Sequence, residues 1–181
     1  MKATSRCISL FLLVMSLTFA VACSSAKDST RFAAMAAQGG MAEVELGKLA
    51  IERAADPSDR EFGERMVEDH ARANTQLKAT AARQNLSLPS DLNSEQKNIK
   101  EKLSKLSGPE FDKEYMADML KDHEADVRDF QKQASEGADP DIKAFAAKTL
   151  PTLEAHLQLA RDVAKKIGVL RETAAGLGNQ P

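Results

Sequence analysis

The sequence predicts an all-α domain built on four long helices. Two observations carry that expectation: four long stretches place apolar residues at helical spacing, and Gly, Pro and Asp-Pro turn chemistry punctuates them. A third comes from internal similarity. ADPSDREFGER, from Ala55, resembles ADPDIKAFAAK, from Ala138: each has Ala-Asp-Pro, a phenylalanine five residues after the proline and a basic residue three later. Such a duplication makes the chain two helical hairpins.

The chain has 181 residues, a length that suits one domain with its own core. The opening MKATSR, with Lys2 and Arg6, precedes the uncharged run CISLFLLVMSLTFAVA, the layout of a secretory signal peptide over residues 1–22. AVAC, at Ala20 to Cys23, resembles the lipobox of bacterial lipoproteins, although Ala20 stands where leucine is usual. Cys23 is therefore the expected lipidation site, with residues 23–31 as a polar tether. Cleavage after Ala22 by ordinary signal peptidase is the alternative, and it leaves a free thiol in an oxidising compartment. Cys7 leaves with the signal, so the mature chain has no internal disulfide. Ser24 after the cysteine resembles outer-membrane sorting, which gives a lipoprotein facing the periplasm; a soluble periplasmic protein is the alternative.

Within the bundle domain, expected over residues 32–167, the first helix runs from about Phe32 to Ala55 with a weak point at Gly39 and Gly40. The second opens on Asp56 and Pro57, an N-cap followed by a proline whose missing N–H costs nothing there, and continues to about Asn85. A short amphipathic helix spans about Asn93 to Leu106. The third long helix runs from about Pro109 to Ser135. The fourth starts at Asp139 and Pro140 and ends at Ile167 before Gly168, with Pro151 expected to kink it. Residues 168–181 read as a disordered tail.

The connection between the hairpins is long for neighbouring helices. A helix of about 13 residues covers roughly 20 Å, so with extended flanks this segment can run the length of a bundle. That is the crossover of ferritin-like four-helix folds, with a short extra helix inside it. A plain up-down-up-down bundle with a loose loop is the alternative.

MVEDH, at Met66 to His70, meets a near copy in MLKDH, at Met119 to His123. At 100° per residue His70 falls in the stripe of Phe62, Met66, Ala73, Leu77 and Ala81; His123 falls among Met116, Met119, Leu120, Val127 and Phe130; His156 falls among Phe145, Thr149, Leu153, Ala160 and Val163. All three histidines of the protein face inward. If an inward stripe takes about 3 of every 7 positions, chance gives that about 8% of the time. Heights agree too, because His70 and Glu43 lie at matching distances from the Pro57 turn, and His123 and His156 at matching distances from the Pro140 turn. Glu43 shares a face with Leu46, Gly47, Ala50 and Ala54, whereas Glu45 lies nearer the edge.

A buried carboxylate needs a partner or must be neutralised. Glu43, His70, His123 and His156 supply donors that suit one Zn, Fe, Mn or Cu ion. The di-iron pattern needs Glu-x-x-His, and the residues three before the histidines are Val67, Leu120 and Leu153. Glu45, Met66 and Met119 are secondary candidates, the methionines because a thioether one turn before a histidine tilts the choice toward copper; plain core packing is their other reading. Asp69 and Asp122 point about 100° away from the histidines that follow them, and are expected to orient a histidine on an adjacent helix or to be solvated flanks.

Several functions are excluded. Loss of the signal removes two of 25 basic residues and none of the 27 acidic ones, leaving a net charge of −4. With no Trp, one Tyr and no basic stripe, the chain has no nucleic-acid footprint. After the signal no apolar run approaches the roughly 20 residues of a membrane span, so lipid at Cys23 is the expected membrane attachment. No Ser, Thr or Cys stands in an activating motif, which argues against a nucleophilic enzyme. No feature identifies a protein partner.

MAEVELGKLA, MVEDH followed by Asn74 and Leu77, FDKEYMADMLKDH and IKAFAAKTLPTLEAHL resemble the bacterial family called domain of unknown function 4142, over about Phe32 to Lys166. The resemblance implies a ferritin-like helical bundle in a periplasmic or outer-membrane protein with no established activity. The expected function is a lipid-anchored envelope protein that holds one transition-metal ion for buffering, stress protection or a redox task. A structural or interaction module with a hydrogen-bonded histidine core is the alternative.

Overall fold

The computed structural model describes the backbone of residues 6–170 and the side chains of residues 27–170. Five helices follow in order: α1 (Arg6–Arg53), α2 (Pro57–Arg83), α3 (Ser94–Ser104), α4 (Gly108–Glu136) and α5 (Pro140–Lys166). No strand occurs among the described residues. The expected tail from residue 171 onward lies outside them.

Local chemistry sets the helix starts. Asp56 accepts from the Ser58 N–H at 2.8 Å, and Asp139 accepts from Asp141 and Ile142 at 3.0 and 2.9 Å, each ahead of a proline in the first turn. The short helix α3 opens with a reciprocal box in which Asn93 takes the Gln96 N–H and Gln96 takes the Asn93 N–H.

Two expectations about α1 need correction. The helix begins at Arg6 rather than Phe32, and it passes Gly39 and Gly40 without a break. Residues 6–38 contain no glycine or proline to stop a helix started in the apolar run, so the expected tether at 23–31 is helical. Ser29 is already buried, its Oγ accepting from Gln133 Nε2 at 3.2 Å and from the Asp139 N–H at 3.4 Å. Packing accounts for Gly40 and Gly47: a Cβ on Gly40 would lie 2.4 Å from Asn74 Oδ1, and one on Gly47 2.7 Å from the Gly63 carbonyl. Helix α5 continues through Pro151, which is exposed.

The two hairpins, α1 with α2 and α4 with α5, make the most extensive helix contacts. They meet along two seams, α1 with α4 and α2 with α5. Both seams are antiparallel. Ser29 meets Gln133 while Asp112 accepts the Ala55 and Asp56 N–H groups at 3.0 Å each; Gln84 meets Asp139 and Asp141 while Lys166 meets Asp56 and Ser58. The connection holding α3 climbs along α1, through Gln38 Nε2 to the Asp91 carbonyl, Lys100 to Glu45, and Arg53 to the Leu106 carbonyl. Fifteen residues of α1 separate the first and last of these contacts, about 22 Å of helix.

Two apolar clusters fill the interior. One holds Leu46, Phe62, Met66, Tyr115, Met119 and Leu157 among others; the second holds Phe32, Ala37, Leu77, Phe130, Phe145 and Leu153. On every long helix one buried polar residue stands between them: Glu43 on α1, His70 on α2, His123 on α4 and His156 on α5.

Candidate metal centre

These four side chains form a polar layer across an otherwise apolar interior. Glu43 is 1% exposed, His70 5%, His123 0% and His156 1%. The imidazole centroids lie 5.8 Å (His70 to His123), 5.2 Å (His70 to His156) and 5.5 Å (His123 to His156) apart. One ligating nitrogen from each ring falls within 4.8 Å of those from the other two. Three atoms at such spacing surround a point no more than about 2.8 Å from each, and closing by about 0.7 Å reaches the roughly 2.1 Å of a metal–imidazole bond.

Hydrogen bonds fix which nitrogens face that point. His123 Nδ1 donates to the Met119 carbonyl at 2.9 Å, and His156 Nε2 donates to Asp69 Oδ2 at 2.9 Å. Each bond leaves the opposite nitrogen as a lone pair, and both of those, His123 Nε2 and His156 Nδ1, are buried without a hydrogen-bond partner. His70 Nε2 and both Glu43 oxygens are in the same condition. Glu43 Oε2 approaches His70 Nδ1 to 2.8 Å and Oε1 approaches His123 Nε2 to 3.4 Å, yet neither contact has hydrogen-bond geometry.

Burial decides the charges. It pushes His70 and His156 down to about 4 and lowers His123, so at neutral pH all three rings are uncharged and carry free lone pairs. A charged His70 facing Glu43 would require an N–H aimed at the carboxylate, which is missing. Burial also raises Glu43 to about 7, opposed by His123 and reinforced by Asp122 and Asp118. The layer thus holds three neutral imidazoles and a carboxyl that gives up its proton near neutrality, the donor set a borderline cation takes.

Other predicted site residues fall elsewhere. Glu45 is half-buried, bonded to Lys100 at 2.6 Å and Lys48 at 2.8 Å, and those bonds hold it below the usual carboxylate range. Met66 and Met119 are fully buried in the first apolar cluster, and Met119 serves His123 through its carbonyl. Asp69 orients a histidine across the α2–α5 seam. Asp122 does not: it is half-buried and makes no hydrogen bond or ion pair among the described residues. The Cys23 side chain lies outside the described ones.

Two buried groups escape sequence reasoning. Asp59, in the first turn of α2, has both oxygens buried without a partner and is raised to about 7 by burial, Asp112 and Asp56. The Tyr115 hydroxyl is likewise buried and unpartnered. Their helix-surface positions give no signal, since burial comes from the neighbouring hairpin.

A family model described as "Domain of unknown function (DUF4142)" matches residues 15–163, spanning all four residues of the polar layer. The chain belongs to this family. Crystal structures of two DUF305 proteins share the DUF4142 chain's fold. A DUF305 fragment from Deinococcus radiodurans is 15% identical with a TM-score of 0.66, over 79% of this chain and 97% of that one. A DUF305 protein from Streptomyces coelicolor is 17% identical with a TM-score of 0.66, over 78% and 92%. No curated protein matches the sequence. Among the described residues no helix is long and apolar enough to cross a membrane.

Proposed function

We propose that this DUF4142 chain is a ferritin-like four-helix bundle with a long crossover, and that it binds one transition-metal ion in its polar layer. His70, His123 and His156 are the nitrogen ligands and Glu43 the carboxylate. One observation carries the reading: three buried ring nitrogens within mutual reach of an ion beside a buried carboxylate with no hydrogen bond. An unsatisfied buried polar atom costs about 1–3 kcal/mol, and three rings whose ligating atoms lie within 4.8 Å of one another, each with an unsatisfied nitrogen, call for a common partner. Asp69 and the Met119 carbonyl hold two rings in the ligating tautomer, the usual outer-shell arrangement of metal-bound histidines. Imidazole and carboxylate donors without thiolate suit Zn, Fe, Mn or Cu, in a buffering, protective or redox role. The ion occupies a site that only the folded chain assembles, so binding adds to stability.

Equilibrium dialysis against Zn²⁺, Cu²⁺, Mn²⁺ and Fe²⁺, with metal analysis, tests this. One ion per chain, lost in His123→Ala, is expected; no stoichiometric metal of any kind removes the reading. A hydrogen-bonded histidine core without metal is the second reading, favoured by the bonds of His123 and His156. It leaves the facing nitrogens and both Glu43 oxygens unsatisfied, which is why it ranks lower.

The cell-envelope location belongs to the same proposal. The signal-like run and the AVAC sequence support lipid attachment at Cys23, with an outer-membrane lipoprotein facing the periplasm as the arrangement. Mass spectrometry of the membrane fraction should find a diacylglyceryl-modified Cys23, and a soluble protein cleaved after Ala22 would overturn the anchor.

A further inference from the structure

Asn74 follows His70 by four residues, so it shares that histidine's face of α2 one turn further along, about 6 Å of rise. On α1, Gly40 precedes Glu43 by three residues, about 4.5 Å in the matching direction of the antiparallel hairpin. The two meet. A Cβ on Gly40 would lie 2.4 Å from Asn74 Oδ1 and 3.0 Å from Nδ2, so the carboxamide occupies the notch that a missing side chain leaves on α1. Gly40 is buried, yet Asn74 makes no hydrogen bond among the described residues. This contact stands one turn from Glu43 Oε2 and His70 Nδ1, which are 2.8 Å apart.

A cavity of about 420 Å³ opens from solvent onto the same place. Asn74 lines it together with Val44 and Ala71, the residues next to Glu43 and His70, and Leu92 and Lys100 of the connecting segment complete it. A divalent ion with six waters takes about 180 Å³, at about 30 Å³ for each water, so the cavity admits it hydrated. Charge does not steer it there, because Glu45 and Lys100 in the wall are bonded to each other at 2.6 Å. The donor that the cavity offers beside the polar layer is a neutral carbonyl oxygen.

We propose that this cavity is the entrance to the metal centre and that Asn74 is a transient oxygen ligand, holding a divalent cation between solvent and the Glu43–His70 pair. The inference rests on the metal-binding reading above. A carbonyl oxygen takes the place of one water in the ion's shell, and a neutral donor binds weakly enough to release the ion to a carboxylate and imidazoles. Gly40 keeps that donor in position, since a side chain there would push the carboxamide out of the hairpin. Asn74 thus sets the rate of exchange; the four residues of the layer set the affinity.

Stopped-flow uptake of Co²⁺ by the purified protein, followed by visible absorption, and its release to excess chelator test this. Asn74→Leu keeps the size of the side chain and removes the donor; Thr75→Phe narrows the cavity from an exposed position, where folding is not at stake. Both should take up and release the ion about tenfold more slowly, with one Co²⁺ per chain and an unchanged equilibrium affinity. Asn74→Asp, which restores an oxygen, should recover the uptake rate. A merely structural role for Asn74 gives a different result: faster release and weaker binding in Asn74→Leu, with no rescue by aspartate. Either of those outcomes, or unchanged rates in Asn74→Leu or in Thr75→Phe, overturns the entrance and leaves the metal site standing. If the unchanged protein takes up no Co²⁺, the entrance falls together with the metal-binding reading.

Discussion

At the scale of single residues, Glu43 and Asp69 do opposite kinds of work in one layer. Burial raises the Glu43 carboxyl to about 7, which disfavours its ionised form in the metal-free fold. Without metal, Glu43→Gln should therefore raise the melting temperature at pH 8 and change it little at pH 5, where the folded protein keeps the proton anyway. The same substitution should weaken Zn²⁺ binding, and a variant stabilised at both pH values alike would show that the carboxylate is not the cause. Asp69 is partly solvated and bonded to Arg72 at 3.3 Å as well as to His156. Its role is to fix one tautomer. Asp69→Ala should lower Zn²⁺ affinity 10 to 100-fold with the one-to-one stoichiometry kept, while Asp69→Asn, which can still accept the bond, should recover most of the loss in the same calorimetric titration.

Helices were legible in this sequence wherever their ends are written in local chemistry. Asp56-Pro57 and Asp139-Pro140 cap as their spacing implies, and α2 to α5 start and stop within a few residues of expectation. Helix α1 was not, because its length follows from the absence of a breaker before Gly39, and Gly40 and Gly47 from a neighbour. Gly47 and Gly63 face each other so closely that a Cβ on Gly63 would stand 2.7 Å from Ala50 Cβ and 2.8 Å from the Gly47 carbonyl. Nothing in periodicity announces that contact. Gly63→Ala should push α1 from α2 and destabilise the fold by about 1–3 kcal/mol in urea unfolding, despite alanine's better helix propensity. Since His70 lies two turns further along α2, the same variant should loosen metal binding too. An unchanged urea midpoint would mean that the pair of helices adjusts without strain.

Across the whole molecule, the candidate site was legible because two hairpin turns act as rulers: counting from Pro57 and Pro140 brings Glu43, His70, His123 and His156 to one level, and the two apolar clusters close on that level from either end. Charge was not legible, since the raised carboxyls of Asp59, Asp118 and Asp126 come from burial between elements. Together these groups set an unusual dependence of stability on pH. His70 and His156 have folded values near 4, below the 6.5 of an unfolded chain, so they favour folding as pH rises through 4 to 6.5 and that gain is lost as pH falls. Glu43 and Asp59 have folded values near 7, above their unfolded 4.5 and 3.8, so the folded state holds extra protons and loses stability as pH rises to 7 and beyond. Above pH 6.5 only the second effect remains. Metal-free protein should therefore melt at a lower temperature at pH 8 than at pH 6. A bound Zn²⁺ reverses the sign for Glu43 by accepting its ionised oxygens, so the increase in melting temperature on adding Zn²⁺ should grow from pH 6 to pH 8 and fade toward pH 4, where His70 and His156 take up protons. Scanning calorimetry with and without Zn²⁺ at pH 4, 6 and 8 reads both trends, and a Zn²⁺ effect that is constant across that range would separate the ion from the buried layer.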